Sequence, residues 1–220
     1  IDSPYIQFSL NRWLADLSGS YTLFRWGKTV QKQISIQTWN ANDIELYGDS
    51  PSAYPIGKFG VHWTSAAFSV SHNFNTPYIF GLRLQTNYSH LFTESLMGIT
   101  LDVGSFIPIN NTLSIAAVIR NIGYEYKNDI KASFPVEYGL GMNFKIPFLK
   151  SSLLSDVLYN INNGEEKRIA FVTNGKIFNI NIGKSIAENR NANSLGFSFN
   201  YRSWKINYGV YFHENSAILG

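Results

Sequence analysis

Lys205-Ile206-Asn207-Tyr208-Gly209-Val210-Tyr211-Phe212-His213 decides the fold, because its even positions are all apolar or aromatic and its odd positions mostly polar or small. Side chains on a strand point alternately to its two faces, so Ile206, Tyr208, Val210 and Phe212 share one face. Residues 194–202 repeat the scheme, setting Leu195, Phe197, Phe199 and Tyr201 against Ser194, Gly196, Ser198, Asn200 and Arg202. The same phase separates Val136, Tyr138, Leu140, Met142 and Phe144 from Glu137, Gly139, Gly141, Asn143 and Lys145. It recurs where Met97, Ile99, Leu101 and Val103 oppose Gly98, Thr100, Asp102 and Gly104, and where Leu82 and Leu84 oppose Arg83 and Gln85. No helical window of comparable quality competes. The chain reads as all-β.

Composition narrows the class. The 220 residues carry a formal net charge of +3, and only 15% are charged, where an ordinary soluble domain has roughly 25%. Aromatic residues also reach 15%, and mean hydropathy is −0.10. Disorder needs low hydrophobicity and high net charge, and neither is present. No apolar run approaches the ~20 residues of a spanning helix; the best is Ile115-Ala116-Ala117-Val118-Ile119. Cysteine is absent, which removes disulfides, thiolate metal sites and thiol nucleophiles. No Lys/Arg run gives a nucleic-acid footprint. The chain opens on Ile1 without a basic-then-apolar leader, so a signal peptide is expected to be removed or to lie outside this sequence.

Alternation alone permits two architectures. In a soluble sandwich the apolar face packs inward; in an outer-membrane barrel it meets lipid and the polar face lines the lumen. Here the polar face is rich in Gly, Ser, Asn and Gln and poor in Lys and Glu, whereas a water-facing sandwich surface is usually more charged. The segments run about ten residues, the length a tilted strand needs to cross a bilayer. Trp26, Trp39, Tyr78, Phe92, Phe106, Tyr124, Phe134, Phe148 and Trp204 fall near segment ends, as interfacial girdles do. These features predict an antiparallel transmembrane β-barrel occupying residues 1–220 as one domain. Short connections are expected to alternate with long ones at 47–59, 121–134, 160–167 and 184–193, and Asn40-Ala41-Asn42 to be a bulge within one long strand. About thirteen strands are legible where an even number is expected, so a truncated fourteenth, closing strand is predicted at the C-terminal end.

Particular motifs resemble a known family. Gly98-Ile99-Thr100-Leu101-Asp102-Val103-Gly104 followed by Ser114–Gly123, with its Arg120-Asn121-Ile122-Gly123, is similar to paired strands of the PorV/PorQ family. Phe134-Pro135-Val136-Glu137-Tyr138-Gly139-Leu140-Gly141 resembles that family's Pro-x-Glu strand, and residues 196–201 and 208–220 its closing hairpin. The resemblance covers most of 79–220 and is weaker over 5–46. It implies a FadL-like outer-membrane barrel of fourteen strands whose plug-like N-terminal segment and last strand are absent from this sequence. It further implies a non-enzymatic role in type IX protein secretion or cell-surface attachment, with outer-membrane lipid, secretion proteins or secreted cargo as partners. Two other functions stay open: a FadL-type channel for hydrophobic small molecules, and a soluble β-sandwich binding module.

By parity, Arg83, Asp102, Arg120, Glu137, Lys145, Arg202 and Lys205 fall on the polar face, where low dielectric makes charges pair. Asp102 and Arg120 lie on consecutive strands, and these residues are expected to form a lumen-lining network. Glu165-Glu166-Lys167-Arg168 mixes signs and reads as a solvated turn. His62, His72, His90 and His213 have no metal-ligand spacing, so no metal or cofactor is expected. No Gly-x-Ser-x-Gly elbow points to a hydrolase. Tyr54, Tyr124 and Tyr126 sit in segments read as long loops, where partner contacts concentrate.

Overall fold

The computed structural model describes residues 4–13, 17–47, 53–74, 76–127, 130–188 and 190–213. The first strands are β1 (Tyr5–Arg12), β2 (Ser18–Trp26), β3 (Val30–Leu46), β4 (Gly57–His72), β5 (Ile79–Leu91), β6 (Glu94–Pro108) and β7 (Leu113–Lys127). Then come β8 (Ile130–Ser133), β9 (Glu137–Ile146), β10 (Ser151–Asn160), β11 (Gly164–Thr173), β12 (Phe178–Ala187), β13 (Arg190–Tyr201) and β14 (Trp204–His213). They form one antiparallel sheet in chain order, with β9 beside β7 and the short β8 pairing only with β7. No hydrogen-bonded ladder joins β1 to β14 among the described residues. The fourteenth strand of the sheet is thus β8, a hairpin arm in a segment whose composition predicts a loop; the strand expected after β14 lies outside the described residues. Two compact units are formed, one from Ile1–Asn73, Phe80–Val103 and Asn121–Phe134, the other from Phe74–Ile79, Gly104–Arg120 and Pro135–Gly220.

Several connections are shorter than their composition led us to expect. Residues 121–127 continue β7, and Tyr124 and Tyr126 are therefore strand residues opposite Ser133 and Lys131 of β8. Asn160 pairs with Gly164 across a three-residue turn, and Ala187 pairs with Arg190. The asymmetry sought in loop length appears as prolonged hairpins instead. Each prolonged pair satisfies backbone groups that a loop would have to leave to water. Of the connection expected at 47–59, residues 48–52 lie outside the described residues, 47 and 53–56 form no strand, and 57–59 belong to β4; β3 is one strand of 17 residues with its register shifted between Ala41 and Ile44. Asp43 stands there at φ 57, so the expected bulge is real.

Exposure decides which face is which. In β1, Ile6, Phe8 and Leu10 are 72%, 64% and 75% exposed, while Ser35 and Thr100 in β3 and β6 are 3% and 2%. Met97, Ile99, Leu101 and Val103 of β6 alternate as exposed residues with covered or half-covered Gly98, Thr100, Asp102 and Gly104. Tyr138, Leu140, Met142 and Phe144 of β9 do the same against Glu137, Gly139, Gly141 and Asn143. Soluble domains cover their large apolar side chains and rarely leave extended apolar patches open. This sheet covers serine, asparagine and glycine and presents isoleucine, leucine and phenylalanine. A sandwich would enclose Leu195, Phe197, Ile206 and Val210; Ile206 is 63% exposed and Leu195 and Val210 only half-covered. No large side chain among the described residues is fully covered.

Candidate functional site

The covered face carries most of the ions placed there from sequence, but not in the expected pairs. In the first unit, Arg83 on β5 donates from Nη2 to Gln85 Oε1 at 2.7 Å, and Gln85 Nε2 donates to Asn87 Oδ1 at 2.7 Å. These are successive positions on one face of one strand, so the amides hand a hydrogen bond up the strand axis. Arg83 Nε lies 4.0 Å from Asp102 Oδ2. Asp102 meets the backbone rather than Arg120: its Oδ1 accepts the N–H of Asn121 at 2.9 Å.

The reason lies in a change of phase within β7. Ile115, Ala117 and Ile119 are exposed, and so are Ile122, Tyr124 and Tyr126. The step from Ile119 to Ile122 is three residues, and Asn121 between them adopts φ 62. An extra residue at such a point leaves a backbone group outside the ladder, and Asp102 takes up that N–H. Gly123 follows because a Cβ there would stand 2.0 Å from the carbonyl oxygen of Ile99. Asp102, Asn121 and Gly123 of the two family-like motifs are thus parts of one backbone irregularity.

In the second unit, Arg120 Nη1 lies 2.6 Å from Glu137 Oε1, the two residues being opposed across β7 and β9. Glu166 and Arg168, read from sequence as part of a solvated turn, lie on β11 with their side chains on the covered face. Arg168 grips Glu166 through Nε at 2.8 Å and Nη2 at 3.0 Å, and Ser185 Oγ also donates to Glu166. Asp156 is opposed to Arg168 and to Gly141. The clue was available: Glu166 and Arg168 share one parity and Glu165 and Lys167 the other. Arg120 and Arg168 face Glu137, Asp156 and Glu166, so the cluster balances its own charge to within one unit.

The remaining candidates separate. Lys145 and Lys205 are on the covered-face parity but exposed themselves. Arg202 is not a lining residue: it lies in the turn between β13 and β14 at φ 52, its guanidinium 5.3 Å from the Tyr201 ring centroid. A turn residue has no strand parity, which is why alternation misplaced it. Tyr54 is 80% exposed within the 47–56 connection. Tyr124 is exposed on β7 with Lys131 Nζ 3.5 Å above its ring. At the head of that same 47–56 connection, Tyr47 donates to Glu45 Oε2 at 2.6 Å, and this carboxylate raises the phenol pKa above its ordinary value.

The histidines are engaged singly: His62 with Asn40 and Thr64, His72 with the Thr29 carbonyl, His90 with Ser95. The His213 side chain lies outside the described residues. Among the described residues no group of three or more His, Asp or Glu is placed to hold a metal ion. The covered face is therefore a set of ion pairs and amide chains, chemically suited to contact with polar matter and to fixing the sheet. Compared with protein-family models and with curated proteins, the chain matches none.

Proposed function

We propose that the chain is an outer-membrane β-barrel whose exposed apolar face meets lipid, and that it serves as a non-enzymatic component of protein secretion or surface attachment. One observation carries the membrane reading: the alternation is inverted relative to a water-soluble protein, over strands of at least ten residues in most of the sheet. Strands of that length, tilted, cross a hydrocarbon layer, and a sheet spanning lipid must close so that no edge is left unpaired. The secretion role rests on the resemblance to the PorV/PorQ family. The backbone irregularity built by Asp102, Asn121 and Gly123 supports kinship of fold, since a two-strand motif with a shared structural cause is unlike a chance match of glycines.

A second reading has its own observation. A FadL-type channel for hydrophobic molecules needs a distorted wall strand, and the β3 bulge between Ala41 and Ile44 supplies one. Two experiments separate the readings. Mild-detergent extraction of native membranes followed by affinity isolation of the full chain is expected to bring down secretion-machinery or cargo proteins. Uptake of a fluorescent hydrophobic compound into liposomes holding the purified protein should not exceed that of empty vesicles. Uptake with no protein partner would reverse the choice, and recovery of the chain in the aqueous fraction would remove both.

A further inference from the structure

The exposed face of the first unit is not apolar along its whole length. Directly opposed residues on neighbouring strands share a face, so the register of β3, β4 and β5 sorts that face into rows. One row is Ile34, Phe68 and Leu84, and the next toward the short turns holds Lys32, Val70 and Leu82. In the other direction come Ile36, Ala66 and Thr86, then Thr38, Thr64 and Tyr88, then Asn40, His62 and His90. The change from apolar to hydrogen-bonding residues takes place within two rows, across three strands at once. β2 follows it, with Phe24 opposite Ile34 but Ser20 opposite Thr38 and Ser18 opposite Asn40.

The polar rows are also bonded among themselves. His62 joins Asn40 and, at 2.7 Å, Thr64 Oγ1; Ser20 and Thr38 hydroxyls are 2.9 Å apart; His90 Nδ1 is 2.9 Å from Ser95 Oγ. Strand length gives a second, independent indication. β3 and β4 have 17 and 16 residues, where about 9–11 suffice to cross hydrocarbon. About nine residues from Val30 and from His72 reach the Thr38–Thr64 row, and the surplus of roughly seven residues, at ~3.3 Å each and tilted ~45°, amounts to about 16 Å beyond it. It lies on the side of the polar rows, because the apolar rows sit against the short turns after β2 and β4.

We infer that the hydrocarbon boundary crosses β3, β4 and β5 at the Thr38–Thr64–Tyr88 row. The Asn40–His62–His90 row and those beyond it then lie against the lipid headgroup layer on the side of the 47–56 connection. The occupant of this surface is the headgroup layer of the same membrane. Its hydrogen-bonding groups match hydroxyl, imidazole and amide partners, and its acyl chains are continuous with the apolar rows below. The inference rests on the membrane reading above and adds a depth to it. Tyr88 fits that depth, with its ring beside the apolar rows and its hydroxyl 3.4 Å from Ser95 Oγ, as interfacial tyrosines do.

The chain has no cysteine, so single-cysteine variants of the full protein can each carry one bimane label. Phe68→Cys and Leu84→Cys mark the apolar rows, and Asn40→Cys and His90→Cys the polar row. In vesicles of phosphatidylcholine brominated on the acyl chains, the first pair is expected to be quenched several-fold more than the second set. Aqueous iodide should reverse that order. Equal bromine quenching of both sets would overturn the inference while leaving the membrane reading in place. Absence of bromine quenching at Phe68→Cys and Leu84→Cys as well would overturn the membrane reading and this inference with it.

Discussion

Asp102 and Gly123 show how much of this sheet depends on single residues whose roles are backbone-directed. Asp102 accepts the Asn121 N–H at 2.9 Å, a charge-assisted bond at a partly covered site. Asp102→Ala leaves that N–H without an acceptor, at a cost of about 1–3 kcal/mol. Asp102→Asn keeps a carbonyl oxygen in place and should cost markedly less. Denaturant midpoints of the detergent-folded protein read the difference; equal midpoints for both variants would mean that the carboxylate caps nothing. Gly123→Ala is the harsher change, since its Cβ would stand 2.0 Å from the Ile99 oxygen, whereas at Gly209 it would meet only the Leu195 oxygen at 3.8 Å. Gly123→Ala is expected at or above the upper end of the ~1–3 kcal/mol range for overpacking, with Gly209→Ala well below it, by the same unfolding measurement. Similar losses at both sites would show that the close approach is not what holds Gly123.

At the scale of elements, the alternation was legible wherever side chains alone set it. The faces of β9, β13 and β14 follow directly from their sequences, and the bulge in β3 is announced by Asn40-Ala41-Asn42 interrupting an otherwise continuous period. Pairing was less legible, because the extra residue at Asn121 shifts the phase of β7 by one. Arg120, just before that point, keeps the regular β7–β9 register opposite Glu137, while Asp102 takes up the Asn121 N–H. The β7–β8 hairpin was missed for another reason: its ladder is made by backbone groups, and Glu125, Lys127 and Lys131 look like loop residues by composition. Amide hydrogen exchange tests this element. Residues 124–127 should exchange much more slowly than 53–56, where no strand is formed. Equally fast exchange in the two segments would return 121–134 to a loop.

At the scale of the whole molecule, a single substitution distinguishes a lipid-facing from a water-facing sheet more sharply than any inventory of contacts. Ile182 on β12 is 55% exposed and is opposed to Leu195 and Phe171 on the same apolar face. If water bathed that face, Ile182→Lys would be an ordinary surface change, within about 0.5 kcal/mol of neutral. In hydrocarbon the same lysine costs about 2–4 kcal/mol near the midplane, and less toward the interfaces. Asn181→Lys, one residue away, turns its side chain to the opposite, polar face and controls for loss of strand propensity. The expected result is a lowered unfolding midpoint for Ile182→Lys in phospholipid vesicles, with Asn181→Lys affected less. The midplane figure also makes the comparison depth-sensitive: Ile186→Lys, two rows toward the β12–β13 turn, should be milder than Ile182→Lys. A flat response along β12, or a neutral Ile182→Lys, would mean that this apolar face never meets lipid, and the barrel reading would fall with it.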